Sequence, residues 1–335
     1  MKLCVIGCGD ISNHVHGPSY VKYREDHADY NFHTAACCDL RLDIAQKYAE
    51  RFGFSRAYDD FEKMIEAERP DAVCITVSES AAAFVGVRIL EMGIPMLIEK
   101  PPGKTTEELH ALCMAAEHKS TPNLVAFNRR FMPIITEAKK RIAQWKRQNR
   151  PILSVHYSMY RVGRNDEDFS DTAIHAIDTA RFLSGDDYVR VNFTRGNVLN
   201  KRPQTVLMDA IMSNGVTVCI KILPNSGMNL ERAEIHSDGG TICLGLPTNG
   251  ANLDEFGWIE EYENDVLISK NTDISGVTAE SDRFIACGFY HENALFFDSV
   301  RNGTVDMLNQ FALDKSMNTM LVKEAYARGE NIYEI

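Results

Sequence analysis

A chain of 335 residues is long for one hydrophobic core and predicts two domains. Its composition, 44% apolar and 25% charged with no low-complexity tract or internal repeat, is that of a globular protein. A formal net charge of −11 argues against a nucleic-acid partner, because no Lys/Arg cluster is dense enough to follow a phosphate backbone.

The densest basic group, Lys139, Lys140, Arg141, Lys146, Arg147 and Arg150, alternates with Ile142, Ala143 and Trp145 at helical spacing, and so predicts a solvated helix face. The opening MKLCVIG runs straight into a strand, with neither a signal peptide nor a spanning segment expected and hence no membrane partner. Nine cysteines without a C-x-x-C, several inside expected strands (Cys4, Cys37, Cys74, Cys219), predict reduced thiols and a cytoplasmic location.

The first strand, Lys2–Ile6, ends in Gly7-Cys8-Gly9-Asp10-Ile11-Ser12, and a helix follows toward Tyr23. This G-x-G-x-x-S run is one residue off the dinucleotide fingerprint. Gly7 permits the tight turn, Gly9 lets the backbone approach a pyrophosphate, and Ser12 is small enough to replace the packing glycine. The second strand, Phe32–Cys38, ends in Asp39, placed to accept a ribose 2′-hydroxyl, with helix N-capping as its other available role. Asp39 favours NAD; Arg41 keeps NADP possible.

Helix Leu42–Phe52, a strand near Ala57, helix Phe61–Ala67, strand Ala72–Thr76 and helix Ser80–Met92 continue the alternation. A strand ending at Lys100, helix Thr105–His118 and strand Leu124–Phe127 complete it. Strands alternating with helices predict a parallel, doubly wound sheet over residues 1–126. In Met96–Pro102 a short apolar strand delivers Glu99 and Lys100 together to its carboxyl end, where ligands bind in open α/β sheets. Pro101 holds Lys100 in extended backbone. The competing reading is a solvated loop lysine. The cofactor set expected from these strand ends is Gly7, Gly9, Asp10, Ile11, Asp39, Arg41, Thr76 and Glu99.

Residues 127–335 change texture. After helix Phe131–Gln148, the segments Ile152–Tyr160, Val189–Val198, Val206–Met212, Val216–Leu223, Ala233–His236, Thr241–Leu244 and Glu260–Ser269 predict a mainly antiparallel sheet. Helices over Ser281–Val300 and Leu308–Arg328 close the chain. One helix interrupts the strands, Ser170–Leu183, with Ser170 as N-cap. On it Asp171, His175 and Asp178 share a face, while Ala173, Ile177 and Ala180 oppose them. A histidine flanked by carboxylates suits a general base. The alternatives are a solvated face with Asp178 paired to Arg181, or a zinc site lacking identifiable further ligands; no metal is expected.

Together, Gly7–Ser12, Glu99-Lys100-Pro101, Asn128-Arg129-Arg130-Phe131 and Asp171-x-x-x-His175-x-x-Asp178 resemble the Gfo/Idh/MocA family of oxidoreductases over nearly the whole chain. Gly239-Gly240-Thr241 and Gly288-Phe289-Tyr290-His291-Glu292 match weaker family segments. The resemblance implies a Rossmann domain, then an α+β domain whose large open sheet forms homodimers or homotetramers. It implies catalysis by Lys100, Asp171 and His175: His175 takes the proton of a substrate hydroxyl, Lys100 stabilises the alkoxide, and Asp171 orients His175 or holds the substrate. The implied reaction is hydride transfer between NAD(P) and a sugar, sugar derivative or cyclitol. Redox-neutral glycoside cleavage or epimerisation and a non-catalytic dinucleotide-binding regulator are the alternatives. Arg129, Tyr160, Arg161, Arg164 and Tyr290 are candidate substrate residues. The chain departs from the family at Gly163–Phe169, at Ala173 and around Thr76–Ala82.

Overall fold

The computed structural model describes residues 1–196, 198, 200, 202–248, 256–277 and 279–335. The chain divides into two compact units, the first made of residues 1–127 and 289–317, the second of 128–288 and 318–335.

The first unit carries strands β1 (Lys2–Ile6), β2 (His33–Cys38), β3 (Arg56–Tyr58), β4 (Ala72–Ile75), β5 (Met96–Glu99) and β6 (Asn123–Ala126). Between them run helices α1 (Gly17–Asp26), α2 (Leu42–Phe52), α3 (Phe61–Glu68), α4 (Glu79–Glu91) and α5 (Thr106–Lys119). The strands pair in parallel in the order β3-β2-β1-β4-β5-β6, the doubly wound arrangement expected. Its topological reversal falls between β1 and β4, which seats the Gly7 turn at the switch point. Leu3, Val5, Val73, Ile75, Leu97 and Ile98 are fully buried, as a sheet covered on both faces requires. A π-helical turn over Ser12–His16 leads into α1, and the extra residue in that turn shifts the register of His16, which is fully buried. The unit is completed by residues 289–317. Phe297 from that segment lies 5.8, 5.1 and 5.0 Å from the rings of Tyr20, Tyr23 and Phe32. Sequence texture alone places all of residues 127–335 in the second domain, whereas residues 289–317 pack with the first unit.

The second unit opens with α6 (Pro133–Arg147), β7 (Ile152–Tyr160) and α7 (Ser170–Ser184). It continues through β8 (Tyr188–Gly196), β9 (Thr205–Met212), β10 (Thr217–Leu223), β11 (Leu230–Ser237), β12 (Gly240–Gly245), β13 (Trp258–Glu263), β14 (Val266–Asn271) and α8 (Arg283–Ala286). After α9 (Phe289–Asn302) in the first unit, α10 (Met317–Ala327) and β15 (Ile332–Glu334) finish the chain. The nine strands follow the order β14-β13-β12-β11-β7-β10-β9-β8-β15, antiparallel except at β7–β10. Strict alternation, as in β9 (Val206, Met208, Ala210 and Met212 in; Thr205, Leu207, Asp209 and Ile211 out), leaves one sheet face under α7 and the other open.

Glu260–Ser269, read as one strand, is a hairpin. Asn264 and Asp265 take left-handed φ values of 47° and 67°, the two-residue turn that reverses antiparallel strands. Ser170 is the first residue of α7 and not its cap; its N–H donates to Asp168 Oδ1 at 2.7 Å. Residue 197, within the expected strand Val189–Val198, lies outside the described residues. Among the described residues, no helix is long and apolar enough to cross a membrane.

Candidate functional site

The glycine turn is built for close approach. Gly7 has φ +97°, and a Cβ there would lie 2.6 Å from the Thr76 carbonyl carbon, so only glycine fits. Thr76 Oγ1 donates to the Gly7 carbonyl at 2.7 Å and ties β4 to the turn. A Cβ at Gly9 would meet nothing within 4 Å, which leaves that backbone open. Ser12, in the third-glycine position, is fully buried and donates to Tyr48 Oη at 2.9 Å. Asp10 and Ile11 stand exposed where the helix begins. A cavity of about 600 Å3 adjoins the turn and is lined by Gly7, Gly9, Asp39, Leu40, Thr76 and Phe84, among others. Within it the Asp39 carboxylate accepts the N–H groups of Cys8 and Arg41, each at 3.1 Å. A tight turn, open backbone, acid at the second strand end and apolar wall are the parts an adenine dinucleotide requires, so these residues fit NAD. Burial, followed by the charge of Asp39, pushes the Cys38 thiol up to about 12.

At the carboxyl end of β5, Glu99 is gripped at both oxygens. Oε2 accepts the Lys100 backbone N–H at 2.9 Å, and Oε1 lies 2.9 Å from His16 Nε2. The Asn293 amide nitrogen faces the Phe289 carbonyl at 2.7 Å and His16 Nδ1 at 3.0 Å. A carbonyl can only accept, so the amide nitrogen is correctly placed and its second hydrogen points to Nδ1. His16 therefore carries its proton on Nε2 and donates it to Glu99. Beside this chain lies Glu292, fully buried, with no hydrogen-bond partner at either oxygen among the described residues. Burial, with the Glu99 charge adding to it, raises its pKa well above the ordinary carboxylate range. His16 and Asn293 were not anticipated, and Glu292 entered only as the last residue of the segment Gly288–Glu292 that resembles the family.

The second unit supplies α7. Asp171 Oδ1 is 2.9 Å from Lys323 Nζ on α10, an ammonium only 4% exposed. His175, one turn along, is partly exposed, and its carbonyl accepts Thr179 Oγ1 at 2.7 Å. Asp178 does not share their access to solvent. It is 1% exposed, takes both Arg130 Nε (2.8 Å) and Nη2 (2.5 Å), and accepts Thr319 Oγ1 at 3.1 Å. Arg181, the partner weighed for Asp178 in the solvated-face alternative, donates from Nε to Asp187 Oδ1 at 2.7 Å.

The substrate candidates separate by their partners. Arg129 binds Glu231 in a fork at 2.6 and 2.7 Å, and Arg161 and Tyr157 Oη bind the same carboxylate. These cations hold the buried Glu231 far below the usual carboxylate range against the opposing effect of burial. Arg164 forks onto Asp166 at 2.7 and 2.8 Å. Tyr160 offers its carbonyl to Arg161 at 2.8 Å. Tyr290, in the first unit, donates to Asp26.

Residues 1–127 match the model of an oxidoreductase family with an NAD-binding Rossmann fold. The chain is 30% identical over 131 residues to D-glucoside 3-dehydrogenase of Escherichia coli K12, covering 39% of this chain and 36% of that one. It is 28% identical over 177 residues to levoglucosan dehydrogenase of Pseudarthrobacter phenanthrenivorans, covering 48% and 45%. The matched regions thus span less than half of either relative. A levoglucosan dehydrogenase solved with NADH and L-sorbose superposes with a TM-score of 0.80 at 20% identity, over all of this chain and 98% of that one, a likeness of fold. The glycine turn and the Glu-Lys-Pro strand end both lie within the 127 residues that match the Gfo/Idh/MocA oxidoreductase family model.

Proposed function

We propose that the chain is an NAD-dependent dehydrogenase that oxidises a CH–OH group of a sugar, sugar derivative or cyclitol, with Lys100, Asp171 and His175 as its catalytic set. The observation that carries this reading is the Asp171–Lys323 pair, 2.9 Å apart, which fixes a carboxylate one helical turn from the partly exposed imidazole of His175. The names of the relatives, acting on a glucoside and on levoglucosan, support the substrate class.

Bound NAD supplies the hydride acceptor. His175 removes the hydroxyl proton, the task an imidazole performs near neutral pH without further tuning. Lys100 stabilises the charge that develops on the substrate oxygen. Its backbone is anchored through Glu99 to His16, so the ammonium starts from a fixed strand end. Asp171 orients the imidazole or the substrate, and Asp178 with Arg130 secures α7 beneath them. Arg129 and Arg161, both engaged by Glu231, shape the protein wall and do not bind an acidic substrate group. A cytoplasmic enzyme assembled as a homodimer or homotetramer through the second unit's sheet completes the proposal.

The test is turnover of the purified protein with NAD and NADP over a panel of sugars, glycosides and cyclitols, followed by the absorbance of the reduced cofactor. Reduction of NAD by at least one panel member is expected. Tight NAD binding with no net reduction on any of them would overturn the dehydrogenase reading.

A further inference from the structure

The open face of the nine-stranded sheet carries a second group of chemically able side chains, all within the second unit. Glu234 and His236 are two residues apart on β11 and so project from the same face. His156 on β7 is the direct cross-strand neighbour of Glu234. Both histidines converge on one oxygen. His156 Nδ1 is 3.9 Å and His236 Nε2 3.8 Å from Glu234 Oε2, and all three atoms lie within 4.8 Å of one another.

Ordinary cross-strand pairing does not require this. A solvated His–Glu pair satisfies the carboxylate once, whereas here two imidazole nitrogens face each other across a single oxygen. Their rings stand 5.2 Å apart at 64°. Around a tetrahedral zinc ion with bonds of about 2.0–2.1 Å, ligand atoms sit roughly 3.3–3.4 Å apart. Each imidazole must therefore approach the oxygen by about half an ångström. The three atoms, now within 4.8 Å of one another, must all draw together to that spacing. His236 is also oriented from behind. Its Nδ1 meets Thr241 Oγ1, on the neighbouring strand β12, at 3.1 Å, which directs Nε2 toward Glu234.

We infer that His156, Glu234 and His236 form a binding site for a borderline divalent transition-metal ion, Zn2+ foremost, with its fourth position open to water. Two imidazoles and a carboxylate are a favoured donor set for zinc, and two ligands on one strand with a third on the next give a rigid template. The site pins β7 to β11 in the middle of the sheet and is independent of the proposed dehydrogenase chemistry.

The test uses the tag-free full-length chain, stripped with a chelator, titrated with Co2+ by visible absorbance and with Zn2+ in competition with a chromophoric chelator. One equivalent per chain is expected, with tetrahedral Co2+ bands and a Zn2+ Kd below about 1 μM. Glu234→Gln and His236→Ala should each abolish that binding, while Thr241→Val, which removes only the orienting contact, should weaken it about tenfold. These solvent-facing variants should unfold with the same midpoint as the unaltered chain in the absence of metal. A Zn2+ Kd above about 100 μM in the unaltered chain would overturn the inference, as would full binding retained in His236→Ala.

Discussion

Asp39 Oδ2 accepts the Cys8 backbone N–H at 3.1 Å, so the acid at the end of β2 is tied to the glycine turn. With Oδ1 on the Arg41 N–H, the carboxylate is fixed in place but keeps lone pairs for a further donor. It should accept a ribose hydroxyl and repel a 2′-phosphate. NAD should therefore bind more tightly than NADP, and Asp39→Ala should narrow the gap by at least tenfold. Titration of both cofactors checks this; a preference for NADP in the unaltered protein would transfer the role to Arg41.

His175 and Lys100 are distinguished by pH. His175→Ala should cut turnover by on the order of a hundredfold or more and abolish the acidic limb of the pH–rate profile, since a base must be unprotonated to act. Lys100→Met should lose turnover but keep that limb and its NAD affinity. Single-turnover measurements are needed, because slow NADH release would mask the chemical step. If the limb disappears with Lys100 and survives without His175, the two roles are exchanged.

Lys323 and Asp171 should respond unequally to removal. Lys323→Met leaves a carboxylate whose side chain is 42% exposed, which water can solvate, whereas Asp171→Asn takes the carboxylate from an ammonium that is 4% exposed. Asp171→Asn should lower the urea midpoint more than Lys323→Met does. Both should reduce kcat, with Lys323→Met leaving NAD affinity intact.

Glu231→Gln should destabilise the protein by about 3–5 kcal/mol, because Arg129 and Arg161 would lose the carboxylate they enclose. The native pKa of Glu231 is depressed, so its contribution is fully present above the ordinary value of 4.5 and is lost progressively as pH falls below it. Denaturant titrations at pH 7 and pH 4 should show the gap between variant and parent shrinking on the acid side.

Glu292 has the opposite sign. Its native pKa is raised, so folding retains a proton that the unfolded chain releases above 4.5, and stability declines as pH rises from there. Glu292→Gln should remove this decline, so the variant gains on the parent as pH rises above about 5. A pH-independent difference would mean that Glu292 is not held protonated.

Much of the first unit was legible because its signals are local. A strand, a turn with two glycines and a helix occupy a few consecutive residues, and Glu99-Lys100-Pro101 marks a strand end by its own composition. Partners distant in sequence were not legible. Helical spacing suggests Arg181 for Asp178, but burial selects Arg130, 48 residues earlier, whose fork satisfies both oxygens. Nothing at Lys323 points to Asp171. The hairpin at Asn264-Asp265 was missed because its turn lacks glycine, although Asn and Asp tolerate left-handed backbone. The spacing of Phe289, Phe296 and Phe297 shows that α9 is buried, but not which unit buries it.

That last assignment bears on biosynthesis. A ribosome delivers β1 to β6 first, but Phe297, whose ring closes over Tyr20, Tyr23 and Phe32, is translated only after strands β7 to β14. Until then the nascent half-domain carries an uncovered aromatic groove, the kind of surface that chaperones shield and that drives truncated products to aggregate. The domain that emerges first is thus completed almost last.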